Sequence, residues 1–112
     1  MEYAVISPSL FKNIREVIEK FKDKYSLVIT TSGLSYALKE GINVDEALDE
    51  GVKVLAYSHK FQPLEGLSIE ETEALLLAKD LGYYLITSTR DKVKDIAEKE
   101  GIKVILLDSS SS

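Results

Sequence analysis

The sequence contains no cysteine and no tryptophan, and its only histidine is His59. The lack of cysteine excludes disulfides, zinc–thiolate sites and thiol nucleophiles. A single histidine also excludes histidine-rich metal sites and most catalytic triads. A metal site in this protein would therefore depend on carboxylate oxygens, which suit a hard cation such as Mg²⁺ or Mn²⁺.

Long apolar segments are absent as well. No run approaches the roughly 18 residues that are needed to cross a bilayer, and the first six residues lack the basic n-region of a signal peptide. We therefore expect a cytoplasmic protein with no membrane partner. Asparagine and glutamine are also scarce (Asn13, Asn43 and Gln62), a bias that is often found in thermophile proteins.

Charge of both signs is abundant, with an acidic excess. Charged residues make up 29% of the 112 residues, and the formal net charge is −5. Because proteins that bind phosphate backbones usually carry a basic face, this balance counts against tight, non-specific binding of nucleic acid. Positive charge is nevertheless concentrated locally, in residues 12–24 and 90–94.

Hydrophobic residues make up 45% of the chain, which is sufficient for the core of one domain. We predict a single domain over residues 1–108. Residues 109–112 are four serines, and we expect them to be a disordered or vector-derived tail.

Short apolar runs alternate with helical patterns along the chain. Strands are predicted at residues 3–6, 26–30, 52–56, 83–87 and 103–107. Helices are predicted at residues 10–21, from 31–33 to 38, after an N-cap at Asn43, and at 71–81 and 90–100. Since strands that alternate with helices form parallel sheets covered on both faces, we predict a three-layer α/β/α sandwich around a five-stranded parallel sheet.

Hydroxyl side chains follow three of the predicted strands, where ligands bind in open α/β sheets. One interpretation is N-capping, worth about 1 kcal/mol for each hydroxyl. The other is an anion or RNA site at converging helix N-termini, with an arginine supplying charge. The candidate residues are Ser7, Ser9, Thr31, Ser32, Thr87, Ser88, Thr89 and Arg90.

The second half of the sequence carries three motifs in order. Residues 71–82 (ETEALLLAKDLG) resemble the G-E-A-E-A-I-x-L-A-x-E-L-G helix of PIN nuclease domains. Residues 84–89 (YLITST) resemble the lLiTnD strand end of that family, and residues 92–107 resemble its closing A-x-x-x-G-I-x-V helix and strand. The resemblance covers about residues 50–107 and implies a PIN-like form of the predicted fold.

PIN proteins are typically magnesium- or manganese-dependent ribonucleases, which occur as toxins of toxin–antitoxin pairs and in RNA processing. The resemblance implies three or four carboxylates that converge on one edge to hold the cations. In this sequence the helix acid is matched by Glu71. The first-strand aspartate falls at Ser7, however, and the TnD aspartate falls at Thr89, or at Ser88 after a shift of one.

The other family positions are also poorly matched. The acid after the second strand falls near Ala37 or Lys39, with Glu40 as a loose substitute. Asp91 is close to the TnD position, but we expect it inside the start of a helix. Glu73 is expected at the surface or as a remnant that supports the site. Glu71 has a second interpretation, since it also completes a capping box with Ser68.

These observations favour a catalytically degenerate PIN-like domain that binds RNA or a protein partner rather than cleaving. A serine or threonine hydroxyl can donate to phosphate where an aspartate without metal would repel it. No cofactor is then expected.

Two alternatives stay open. One is a ribonuclease with Mg²⁺ or Mn²⁺ and displaced acids. Its candidate acids are Glu71, Glu73, Asp91, Glu40 and Asp45. The other is a homo-oligomeric interaction module, for instance a homodimer, for which the loop from Tyr57 to Phe61 is the candidate apolar patch.

Overall fold

A computed structural model describes residues 1–107 and places five strands among six helical segments. The strands are β1 (Tyr3–Ile6), β2 (Ser26–Thr30), β3 (Lys53–Leu55), β4 (Tyr84–Ser88) and β5 (Val104–Leu107). The helices are a 3₁₀ helix (Pro8–Asn13), α1 (Ile14–Phe21), α2 (Thr31–Lys39), α3 (Asp45–Asp49), α4 (Ile69–Leu81) and α5 (Lys92–Lys99).

The five strands form one parallel sheet in the order β3-β2-β1-β4-β5. In β1, Val5 lies opposite Val28 of β2 on one side and Leu85 of β4 on the other. The predicted α/β fold with a five-stranded parallel sheet is therefore confirmed. Because all the strands run the same way, their carboxyl ends meet at one edge of the sheet, which we call the carboxyl edge.

Apolar clusters cover both faces of the sheet, as the alternation of side chains along a strand requires. Ala4 and Ile6 of β1 belong to a cluster that includes α1, whereas Val5 belongs to one that includes α4 and α5. Helices thus lie on both sides, in agreement with a three-layer sandwich. The strand at the centre is fully buried from Ala4 to Ile6.

The ends of α4 follow local sequence signals. Ser68 is the N-cap, and its hydroxyl accepts a hydrogen bond from the Glu71 amide while the Glu71 side chain accepts one from the Ser68 amide. This confirms the capping box, although α4 begins two residues earlier than predicted. Gly82 ends the helix with a φ of 68°, a left-handed conformation that glycine adopts without strain.

Some predicted boundaries were wrong. The helix predicted over residues 10–21 begins as a 3₁₀ helix, in which Pro8 stands at the start with a φ that suits the first turn. β3 covers three residues instead of five. The N-cap of α3 is Val44, although the Asn43 side chain does accept a hydrogen bond from the Asp45 amide.

Two expectations relate to the ends of the chain and to membranes. The predicted tail at residues 109–112, together with Asp108, lies outside the described residues. Across residues 1–107, no helix is both long enough and apolar enough to cross a membrane.

Candidate functional site

The carboxyl ends of β1, β2 and β4 bring most of the predicted hydroxyl residues to one edge. Ser7 follows β1, and its amide donates to the Ile86 carbonyl, so the ladder between β1 and β4 continues through Ser7. α2 begins at Thr31 without a connecting loop, and the Thr30 hydroxyl caps it by accepting from the Gly33 amide at 2.9 Å. Thr87 and Ser88 are the last residues of β4.

Glu73 of α4 lies buried at this edge, with 4% of its surface exposed. Its carboxylate accepts hydrogen bonds from the Ser32 amide at 2.8 Å and from the Tyr57 amide at 3.1 Å. The hydroxyls of Thr31, at 3.2 Å, and of Ser32 donate to it as well. Of the two expectations for Glu73, a place at the surface was therefore wrong, and its role as a remnant that supports the site stays a prediction.

The buried face of α4 offers a sequence signal for this placement. Leu77 lies one turn after Glu73 and is also buried, so both residues lie on the side of α4 that contacts the rest of the protein. An acid at such a position requires donors from elsewhere in the fold. The sequence does not identify those donors, since Thr31 and Ser32 are about forty residues away.

The pKa of Glu73 reflects two opposing effects. Burial disfavours the charged carboxylate and would raise its pKa, but the hydrogen bonds from Ser32 and the Tyr57 amide stabilise the charged form. The hydrogen bonds prevail, and the pKa lies below its ordinary value of 4.5. Glu73 is therefore ionised at neutral pH.

Asp91 forms the second carboxylate of the edge. It is the N-cap of α5, where its Oδ1 accepts from the Val93 amide at 3.0 Å. The expectation that Asp91 lies inside the start of the helix was therefore wrong. Its Oδ2 accepts from the Thr87 hydroxyl at 2.9 Å and from the Ser7 hydroxyl at 3.2 Å. The Ser9 hydroxyl lies 3.3 Å from that of Ser7 and extends this network outward.

Glu71 has different contacts. Its Oε1 lies 2.8 Å from the Ser68 amide and 3.1 Å from the Ser68 hydroxyl, so its carboxylate closes the first turn of α4. The structure thus places Glu71 in the capping box and Glu73 among the hydroxyls, although the family motif matches Glu71.

Replacing Glu71 by glutamine is expected to lower the free energy of unfolding by at most about 1 kcal/mol, because a glutamine at N3 retains the capping-box contact and only the charge near the helix N-terminus is lost. Urea unfolding followed by circular dichroism measures this. A loss above about 3 kcal/mol would show that Glu71 has a role beyond the cap.

The predicted anion site requires helix N-termini that can accept an external ligand. In the structure, the chain's own carboxylates contact the first amides of two helices, Glu73 at Ser32 of α2 and Asp91 at Val93 of α5. These internal anions take the place that an external phosphate would occupy at a helix N-terminus. An anion at the edge must therefore contact other groups.

Four of the predicted residues remain accessible around the two carboxylates. Ser9, Thr31, Thr89 and Arg90 are exposed, and the half-buried Ser88 uses its hydroxyl to accept a hydrogen bond from the Arg90 amide at 3.2 Å. The accessible rim of the edge thus consists of hydroxyl groups and one guanidinium group, and the Thr31 hydroxyl already donates to Glu73.

The donor set can be tested against a divalent cation. Each carboxylate at the edge receives hydrogen bonds from amides and hydroxyls, and amide N–H groups cannot coordinate a cation. Among residues 1–107, no group of three or more acidic or histidine side chains is close enough to hold a metal ion. The arrangement therefore does not fit the magnesium or manganese centre that the family resemblance implies.

The loop after β3 contacts the edge through its backbone. Its Tyr57 amide donates to Glu73, and the Tyr57 hydroxyl donates to Asp80 at 2.7 Å. The rings of His59 and Phe61 lie edge-on to that of Tyr57, each at 5.5 Å between centroids. Tyr57 and Phe61 are half-buried, so the loop predicted as an apolar patch is partly packed against the domain.

Comparison with known proteins shows a clear similarity to a solved structure. No family model matches the sequence, and no curated protein does. Among solved structures, the chain is similar to a PilT N-terminus domain protein from the hyperthermophilic archaeon Sulfolobus solfataricus P2. The sequences are 42% identical over 93% of this chain and 86% of the other, with a TM-score of 0.84.

Proposed function

The chain belongs to the PilT N-terminus (PIN) domain family, and from that premise we propose that it is a non-cleaving member that binds RNA at the carboxyl edge. The observation that carries the proposal is the set of hydrogen bonds that the carboxylates of Glu73 and Asp91 accept. Seven amide and hydroxyl donors contact these two carboxylates, from Thr31, Ser32, Tyr57, Ser7, Thr87 and Val93.

This bonding opposes metal-assisted cleavage. A cation that activates water requires carboxylate lone pairs directed at it, and two amide groups already contact Glu73. Displacing these donors would leave partly buried amides unpaired, at about 1–3 kcal/mol each. The edge is therefore stable as a hydrogen-bonded network without a metal.

The exposed rim favours RNA over a protein partner. The exposed Thr89 offers a hydroxyl, and the exposed Arg90 offers a guanidinium group that can contact phosphate in a bidentate manner. A protein-binding surface would instead be expected to place apolar or aromatic residues at its centre. The net charge of −5 implies that binding is weak, and added salt should weaken it further.

The binding test uses fluorescence anisotropy with labelled single-stranded RNA in low salt and EDTA. We expect Arg90→Ala to weaken binding about fivefold to tenfold and to reduce the salt dependence by about one phosphate contact. Lys99→Ala is the matched control, since Lys99 is exposed at the far end of α5, the helix that follows Arg90, and should matter little.

The outcomes distinguish the candidates. If the wild-type protein does not bind RNA in low salt, the RNA proposal is wrong. If the protein cleaves the same RNA in the presence of Mn²⁺ and the Glu73→Gln variant does not, the nuclease alternative is established instead. The observation that favours this alternative is that two carboxylates lie at the carboxyl edge.

A further inference from the structure

The loop after β3 is held against α4 at three points. The Tyr57 amide donates to the carboxylate of the buried Glu73 at 3.1 Å, and the Tyr57 hydroxyl donates to Asp80 at 2.7 Å. Farther along the loop, the Leu64 amide donates to the Thr72 hydroxyl at 3.0 Å. Because all three acceptors belong to α4, the loop segment that these bonds enclose has a defined place beside the carboxyl edge.

Three aromatic rings are grouped in this segment. The Tyr57 ring packs against the apolar cluster that includes α4 and α5, and the rings of His59 and Phe61 both lie edge-on to it. An edge-on contact covers at most one face of each of these two outer rings. Tyr57 therefore supports His59 and Phe61 and leaves them aromatic surface for a further contact.

Phe61 is not a residue of the hydrophobic core. Of the three phenylalanines in the sequence, Phe11 and Phe21 are buried in an apolar cluster, whereas neither cluster of the described residues 1–107 includes Phe61. Phe61 instead lines a shallow hollow of the surface together with His59, Lys60 and Gln62. An apolar ring with a few polar neighbours in such a place is the composition of a ligand site.

The charge of the loop suits an anionic ligand. Residues 56–64 contain no acidic side chain, in a chain with a net charge of −5, and they include Lys60 and His59. Lys60 is exposed, and none of the ion pairs within residues 1–107 involves it. Aromatic rings beside a free positive charge are the combination that holds single-stranded nucleic acid, since the bases stack on the rings and the phosphates contact the charge.

The loop and Arg90 lie towards opposite ends of the same edge. The hollow follows β3, whereas Arg90 follows β4. In the strand order of the sheet, the carboxyl ends of β3 and β4 are three strand spacings apart, which is about 14 Å. A single strand of a few nucleotides that lies along the edge is long enough to contact both.

We propose that the hollow is a nucleobase subsite, in which one base of a single-stranded RNA stacks on Phe61 and His59 while Lys60 contacts a neighbouring phosphate. The inference rests on the proposed RNA binding and adds to it the groups that contact a base, whereas Arg90 contacts phosphate. Stacking accepts any base, because every base has a π face, so we expect little discrimination between bases.

The test compares a labelled single-stranded RNA with an abasic strand of the same length, which keeps the phosphates but lacks the bases. Fluorescence anisotropy in low salt and EDTA measures both affinities. We expect Phe61→Leu to weaken binding of the base-bearing RNA about fivefold to thirtyfold, and His59→Ala to weaken it by a smaller factor. Neither variant should change the affinity for the abasic strand. Arg90→Ala should weaken binding of both strands, because it removes a phosphate contact.

Tyr83→Leu is the matched control for the loss of an aromatic ring. Tyr83 is half-buried and stacks on Tyr3, but it precedes β4 and so lies at the opposite edge of the sheet. Its replacement should leave both affinities unchanged. Circular dichroism establishes that each variant is folded, and the exposed His59 provides a variant that leaves the core intact if Phe61→Leu does not fold.

The outcomes separate the subsite from the proposed function. If the base-bearing RNA binds and Arg90→Ala weakens it, but Phe61→Leu and His59→Ala do not, the subsite is wrong and the proposed function stands. An equal loss for the base-bearing and abasic strands would also overturn the subsite, since stacking requires a base. If neither strand binds, the subsite and the proposed function are both wrong, and a protein partner is then the better occupant of the loop.

Discussion

Replacing Glu73 by alanine is expected to lower the free energy of unfolding by about 3–5 kcal/mol, because the partly buried amides of Ser32 and Tyr57 would lose a charged acceptor. The hydroxyls of Thr31 and Ser32 would lose the same partner. Urea unfolding of both proteins at neutral pH measures the difference. Glu70→Ala, in the first turn of the same helix, is the control and should cost no more than about 1 kcal/mol.

The pH dependence tests the cause of this loss. Since the pKa of Glu73 is lower in the folded protein than its ordinary value of 4.5, the carboxylate stabilises the fold above that value. This contribution is lost as the pH falls through the folded-state pKa. The stability difference between the wild type and Glu73→Gln should therefore be largest at neutral pH and shrink below about pH 4.5. A difference that stays constant down to pH 3 would contradict the proposed role of the charge.

The second large effect that we expect is a loss of stability when Ser7 is replaced by aspartate. Ser7 is fully buried, and its hydroxyl donates to the Asp91 carboxylate at 3.2 Å. An aspartate there would replace this donor with a second negative charge. Without metal, we expect the free energy of unfolding to fall by about 3 kcal/mol, because a buried aspartate at position 7 and the half-buried Asp91 would be two carboxylates in contact that repel each other.

A divalent cation should reverse part of this loss. The two carboxylates of the Ser7→Asp variant could share Mn²⁺, which at about ten times its Kd would return about 1.4 kcal/mol. A thermal-shift titration measures this, and we expect no comparable shift in the wild type. Ser9→Asp is the control, since Ser9 is exposed and an added charge there should change stability little. If Mn²⁺ stabilises the wild type as strongly as the variant, the interpretation of the edge as metal-free is wrong.

The sequence predicted the order of strands and helices because each depends on local patterns. The apolar runs of β1 and β2 and the capping box of Ser68 and Glu71 are complete within a few residues, and all of them are present in the structure. Boundaries were less accurate where local signals compete. At Pro8 the chain enters a 3₁₀ helix before α1, although the apolar spacing suggested one continuous helix.

The candidate site was only partly predictable. Ser7 and Thr87 were identified because they follow strands that end at the same edge, and the structure joins both to Asp91. The sequence left Glu73 either at the surface or as a remnant that supports the site, because its donors come from α2 and from the loop after β3. The family motif has glutamates at the positions of both Glu71 and Glu73, so it does not indicate which of these two acids finds those donors.

The sequence by itself determined the fold class, because the periodicity of apolar residues and the helix-end signals are local properties of the chain. Only the tertiary structure decided which acids face the carboxyl edge and how their charge is balanced. The physical reason is that hydrogen bonds such as that between the Ser32 amide and the Glu73 carboxylate join residues far apart in sequence. The residue types alone do not specify these long-range contacts.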